Sequence, residues 1–148
     1  MPSPQLILDT NILVHYARAS ALWERVRDAY QPLTVEPRPV ISIVTAGELR
    51  SLAVQWNWGT QKRDRVEFAL SYFQSVMIGD NKLIQMYATL DSFCESVGQP
   101  LGKNDVWIAA TAAVTGARLL TTDRDFDRLA PQFFARDWID PDTHPAPK

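Results

Sequence analysis

Apolar positions along this chain alternate between short continuous runs and stretches spaced by three and four residues, which predicts strands and helices in turn. Residues 5–8 read as a short buried strand and residues 11–18 as a helix, with Asp9 and Thr10 at the crossing between them. A second helix is expected over 21–30, where Leu22, Val26 and Tyr30 recur at intervals of four, before Pro32, Pro37 and Pro39 punctuate a loop. The β-branched run 40–44 predicts a strand. Thr45 then opens a helix reaching as far as Trp56, and helical spacing resumes through Val66, Leu70 and Phe73. Residues 75–79 read as a further strand, and 81–97 carry the longest apolar stripe, with Leu83, Met86, Tyr87, Leu90, Phe93 and Val97. A nearly apolar helix over 104–115 stops at Gly116, a suitable left-handed cap. A strand within 117–123, a short helix over 125–129 and an edge strand within 133–140 complete the pattern.

Strands separated by helices pair in parallel, because no hairpin can join them, so the pattern predicts an α/β sandwich. In open parallel sheets ligands collect beyond the carboxyl ends of the strands. Asp9 and Asp123 fall at such ends, and helices beginning near Thr45 and Asn104 point their first turns there, so topology alone converges four acids: Asp9, Glu48, Asp105 and Asp123.

With 148 residues, 46% of them hydrophobic, the chain suffices for one domain with a sizeable core, read here as 1–140, followed by a Pro-containing tail over 141–148. The formal net charge of −2 announces no global field for nucleic acid, so such binding needs a local patch or a metal. A lone cysteine, Cys94, excludes an internal disulfide and is expected to pack in a helix. The N-terminus lacks a basic segment followed by a long apolar run, and no stretch approaches a membrane span, which fits a reducing cytoplasm.

Each acid also suits a helix cap. Thr45 and Glu48 match a capping box, Asp9 and Asp123 precede helices, and Asn104 with Asp105 suit a helix start, each cap being worth about 1 kcal/mol. Taken together the acids need more than that, because unpaired carboxylates about 4 Å apart repel by roughly 4 kcal/mol at an effective dielectric near 20. Mg²⁺ or Mn²⁺, hard ions that prefer carboxylate oxygen and water, offset this repulsion. The chemistry that follows is phosphodiester hydrolysis without a protein nucleophile, which suits a chain whose only histidines are His15 and His144.

The segments LILDTNILVHYA, VISIVTAGELRSLA and GKNDVWIAATAAVTGARLLTTDRDF, in this order, resemble the PIN domain, and more narrowly the small PIN ribonucleases that serve as VapC-type toxins of toxin–antitoxin pairs. The resemblance implies a PIN-like three-layer sandwich, a central parallel sheet flanked by helices. It implies that Asp9, Glu48, Asp105 and Asp123 form the catalytic and metal site, with Asp9, Asp105 and Asp123 as direct ligands of Mg²⁺ or Mn²⁺ and Glu48 acting through water. Thr10 and Asn11 would hold the first loop and contact a scissile phosphate, while Asn104 and Thr121 would support Asp105 and Asp123. An RNA substrate, a protein antitoxin and a homodimer are further implications. Asp125 and Asp127 read as solvated acids at a helix start, Asp125 being the nearer to the metal.

Arg50, Lys62, Arg63 and Arg65 are either a solvated helix face or a grip on RNA phosphates. Trp23, Trp56 and Trp58 are base-stacking candidates with core packing or a subunit interface as the alternatives; Trp107 is expected to be buried in the core with its indole N–H on a carbonyl, and His15 to pack against neighbours. Two competing functions remain open at this level: an idle PIN-like module that binds RNA or protein, and a PIN nuclease of other specificity. A phosphatase with an aspartyl intermediate is disfavoured, because Asn11 stands where a second Asp is needed.

Overall fold

The computed structural model describes residues 4–142; His144 lies outside them. Five strands form one parallel sheet in the order β3-β2-β1-β4-β5. The strands are β1 (Leu6–Leu8), β2 (Val40–Ser42), β3 (Gln74–Val76), β4 (Arg118–Thr121) and β5 (Arg136–Trp138). Between them run α1 (Thr10–Arg18), α2 (Ala21–Tyr30), α3 (Ile43–Gln55), α4 (Thr60–Tyr72), α5 (Asn81–Ser96) and α6 (Lys103–Thr115), and a short 3-10 helix, Arg124–Arg128, links β4 to β5.

Successive residues of a strand face opposite sides of a sheet, and both sides here are covered. Leu6 and Leu8 of β1 therefore enter one core, with Ile12 and Leu13 of α1, Trp23 of α2, Leu49 of α3 and Ala69 of α4. Ile7, between them, enters a second core with Leu83 and Leu90 of α5, Ile108 of α6 and Phe126 of the 3-10 helix. Leu120 and Leu119 of β4 divide in the same way. The result is the three-layer α/β sandwich that the pattern and the resemblance implied, with β1 at its centre.

Several boundaries follow directly from capping chemistry. The Ser20 hydroxyl accepts from the Trp23 N–H at 3.3 Å and opens α2. Gly116, at φ 71°, closes α6 with its N–H on the Ala112 carbonyl. Cys94 is fully buried, as expected of a helix-packing thiol. Among the described residues no helix is long and apolar enough to cross a membrane.

Other expectations are corrected. The strand expected over 40–44 ends at Ser42, and α3 begins at Ile43 rather than Thr45. The Ser42 hydroxyl accepts from the Val44 N–H at 3.1 Å, so the chain passes from strand to helix with no intervening loop. Val97, placed on the buried stripe of α5, is 48% exposed, because the helix ends one residue earlier. Trp107 is half-buried and stacks on Tyr87 with ring centroids 4.0 Å apart.

Candidate metal centre

Asp9 follows β1 and caps α1, where its carboxylate accepts from the Thr10 N–H at 2.8 Å and from the Thr121 hydroxyl at 2.7 Å. The Thr121 hydroxyl itself accepts from the Asp123 N–H at 2.9 Å. One side chain at the end of β4 thus couples the carboxylate from β1 to the loop that carries Asp123. Asp123 in turn caps the 3-10 helix by accepting from the Asp125 N–H at 2.8 Å. Oxygens of Asp105, Asp123 and Asp125 lie within 4.8 Å of one another.

Glu48 does not close a capping box. Because α3 starts at Ile43, Glu48 falls in the second turn, out of reach of the helix start. It accepts instead from the Thr10 hydroxyl at 2.6 Å and from the Asn104 side-chain amide at 3.3 Å. The Thr10 hydroxyl is also 3.1 Å from that of Thr45. Asn104 therefore supports Glu48 rather than Asp105, and Thr121 serves both Asp9 and Asp123. Asn11 is exposed on α1. His15 packs locally, its Nδ1 2.8 Å from the Ser20 hydroxyl.

Two groups reveal how the acids act on each other. Burial, the largest cause, raises the Asp9 carboxyl to about 7; the Thr121 hydroxyl and the Thr10 N–H pull it down while the charges of Asp105 and Asp123 push it up. Burial also leads at Asp105, raised to about 6, followed by the charges of Asp123, Glu48 and Asp125, with Arg128 opposing them. Glu48 and Asp123 are thus electrostatically coupled to Asp105, and Asp123 and Asp105 to Asp9. All four acids expected from the sequence share one neighbourhood.

Asp125 and Arg128 are the residues that sequence reasoning undervalued. Asp125 sits two positions after Asp123, and that spacing was the available signal, since an Asp can accept from the N–H two residues on and bring the second carboxylate back beside it. Arg128, three positions further on the 3-10 helix, lies 3.4 Å from Asp125 and donates to the carbonyls of Gln99 and Pro100, each at 2.7 Å. It anchors the loop before α6 to the loop after β4.

The donor set fits a hard divalent cation: three carboxylates close together, no histidine or cysteine among them, and a fourth carboxylate, Asp9, only 3% exposed and fixed by two hydrogen bonds. Thr121→Val keeps the side-chain shape but removes the hydroxyl that orients Asp9. It is expected to weaken Mn²⁺ binding by about 10- to 100-fold and to raise the Asp9 midpoint further. Titration calorimetry with Mn²⁺ and carboxyl NMR titration of the metal-free protein check both; an unchanged affinity would show that Thr121 does not organise this centre.

A family model described as PIN domain matches residues 6–131. Ribonuclease VapC1 of Haemophilus influenzae is 27% identical over 129 residues, which span 83% of this chain and 90% of that protein. Among solved structures, VapBC2 from Rickettsia felis bound to a DNA fragment from its promoter superposes with a TM-score of 0.75 at 21% identity, covering 91% of this chain and 98% of the other. VapBC-1 from nontypeable Haemophilus influenzae superposes with a TM-score of 0.71 at 24% identity, covering 90% and 96%. The structural likenesses carry the fold, and the family match extends over both halves of the acidic site, from Asp9 to Asp125. The chain belongs to the PIN domain family.

Proposed function

We propose that this chain is a metal-dependent endoribonuclease, the toxin of a VapBC-type toxin–antitoxin pair, working in the cytoplasm as a homodimer held in check by a protein antitoxin. The observation that carries the reading is the carboxylate group at the carboxyl edge of the sheet, where Asp105, Asp123 and Asp125 meet beside Asp9 and Glu48. The activity is assigned to the domain read over 1–140. The likeness to ribonuclease VapC1 over most of both chains supports the substrate class, and the toxin–antitoxin complexes of the same fold support the partner.

Asp105, Asp123 and Asp9 would hold Mg²⁺ or Mn²⁺, with Asp125 beside them. Bound there, such an ion shields the anionic phosphate and lowers the pKa of water toward neutrality. The chain's own residues set the geometry. Thr121 and the Thr10 N–H aim Asp9, and the Thr10 hydroxyl with the Asn104 amide fixes Glu48. Held in that way, Glu48 is placed to orient a water and accept its proton.

Incubation of pooled cellular RNA with the protein, in Mn²⁺ and in chelator, tests the reading. Discrete fragments in Mn²⁺ and none in chelator are expected. Intact RNA in both, from folded protein, would favour a binding module that has kept its acids for helix capping.

A further inference from the structure

Of the basic side chains singled out in the sequence as RNA grips, Lys62 lies 5.8 Å from the Trp58 ring centroid and the other three are occupied. Arg50 makes a two-pronged contact with Glu67 at 3.0 and 2.9 Å, Arg63 donates to the Trp58 carbonyl at 2.7 Å, and Arg65 donates to the Tyr16 carbonyl at 2.9 Å. Beside the acidic site, Lys103 is paired with Asp91 at 2.8 Å and Arg128 with two carbonyls. Arg124 is different. Its side chain is 66% exposed, and its one carboxylate contact among the described residues, to Asp127, is long at 3.8 Å and shared with Arg136.

Arg124 is nonetheless held in place. Its guanidinium lies 3.8 Å from the centroid of the Trp138 ring, a cation–π contact that restrains the side chain while leaving its N–H edge available. Trp138 is itself fixed, because its indole N–H donates to the Thr122 carbonyl at 3.0 Å. The same ring therefore clamps the loop that carries Asp123 and positions the arginine that follows it. Thr121 pairs in register with Trp138, so this shelf stands one strand spacing, about 5 Å, along the carboxyl edge from β4. Arg124 lies between Asp123 and Asp125 in sequence, and in a 3-10 turn consecutive side chains diverge, which directs it away from the carboxylates on either side.

We propose that Arg124, shelved on Trp138, binds an RNA phosphate neighbouring the one that is cleaved, and so sets the path of the strand across the acidic centre. The inference rests on the ribonuclease reading above. A net negative protein with a carboxylate-lined centre repels a polyanion, and a restrained, 66% exposed guanidinium at the rim can seat a phosphate bidentately. Arg124 is a substrate-contacting residue here, and Trp138 a positioning residue acting through it.

The test compares wild type with Arg124→Gln and Arg124→Lys, using a fluorescein-labelled mixed-sequence single-stranded RNA in chelator across a series of salt concentrations, and steady-state cleavage in Mn²⁺. Arg124→Gln is expected to weaken binding about tenfold and to reduce the slope of log affinity against log salt by about 0.7, the share of one phosphate contact on a single strand. In cleavage it should raise KM while retaining kcat. Arg124→Lys should restore the slope and only part of the affinity, because the charge returns without the planar stack. Loss of the Trp138 contact should lower the melting temperature of Arg124→Gln by no more than about 3 °C. Equal affinity and slope in Arg124→Gln, with wild type cleaving RNA, would overturn this inference alone; so would weakened binding accompanied by a larger fall in melting temperature. Wild type that neither binds nor cleaves RNA would overturn the ribonuclease reading and this inference with it.

Discussion

Asp105→Asn is expected to lower metal-dependent RNA cleavage by more than about 100-fold while leaving the metal-free protein as stable as wild type or more so. Loss of a partner that merely supports a metal ligand costs about 10- to 100-fold, and Asp105 stands in the three-carboxylate group itself. The stability half of the result has an independent cause. Burial above all, and then three neighbouring acids, push the Asp105 carboxyl upward against an opposing arginine, so charge at this position costs the apo fold free energy. Asparagine removes the charge and nearly preserves the shape. Cleavage of pooled RNA in Mn²⁺, with thermal melting in chelator, measures both effects. Wild-type cleavage by the variant would remove Asp105 from the centre, and a large loss of metal-free stability would return it to a purely structural role at the start of α6.

In chelator, stability should fall as pH rises from 5 to 8. The Asp9 carboxyl ordinarily ionises at 3.8 and does so at about 7 in the folded chain. Between those values the native state binds a proton that the unfolded chain has released. The stabilisation is therefore complete below the lower value and is lost as pH climbs through the upper one. Over the whole window between those two values the loss is on the order of 4 kcal/mol; the part above pH 5, about two units, is roughly 3 kcal/mol, or about 8 °C in melting temperature for a chain of this size. Asp105, raised to about 6, adds to the same limb. Asp9→Asn should flatten the dependence, and Mn²⁺ should recover stability most at pH 8, where the carboxylates are free of protons. A pH-independent melting temperature in chelator would mean that Asp9 ionises normally and that the buried charge is tolerated without help.

The parts of this molecule that the sequence expresses most directly are those governed by local chemistry. Helix α2 runs over the expected residues because Ser20 supplies the cap and Leu22, Val26 and Tyr30 supply the spacing. The parallel sheet follows from strands that are never joined by hairpins, and the convergence of Asp9, Glu48, Asp105 and Asp123 follows from the sheet. The start of α3 was hidden because a run of Val, Ile, Ser, Ile and Val has strand propensity throughout, and propensity cannot mark the residue at which a serine hydroxyl turns the backbone. That shift of two residues removes the capping alternative for Glu48 and leaves it bonded to Thr10 and Asn104 beside the other acids. The resemblance implies Asn104 as a support of Asp105, yet successive helical residues do not face each other, and the amide reaches across to α3 instead. Trp138 carried no signal, since its significance depends on strand register with Thr121.

Strand β1 lies between β2 and β4, so the first strand of the sheet is flanked on one side by one of the last to be made. While the chain is being synthesised, an emerging segment that already contains Asp9 and Glu48, and even the whole of α5, still has an open edge on β1 and none of the three clustered carboxylates. Competence arrives only when residues 118–125 are made and Leu119 and Leu120 take their places in the two cores. For an enzyme read as cutting RNA, the fold thereby imposes a delay, and the ribosome making the chain works for most of that synthesis beside an incomplete and inert precursor.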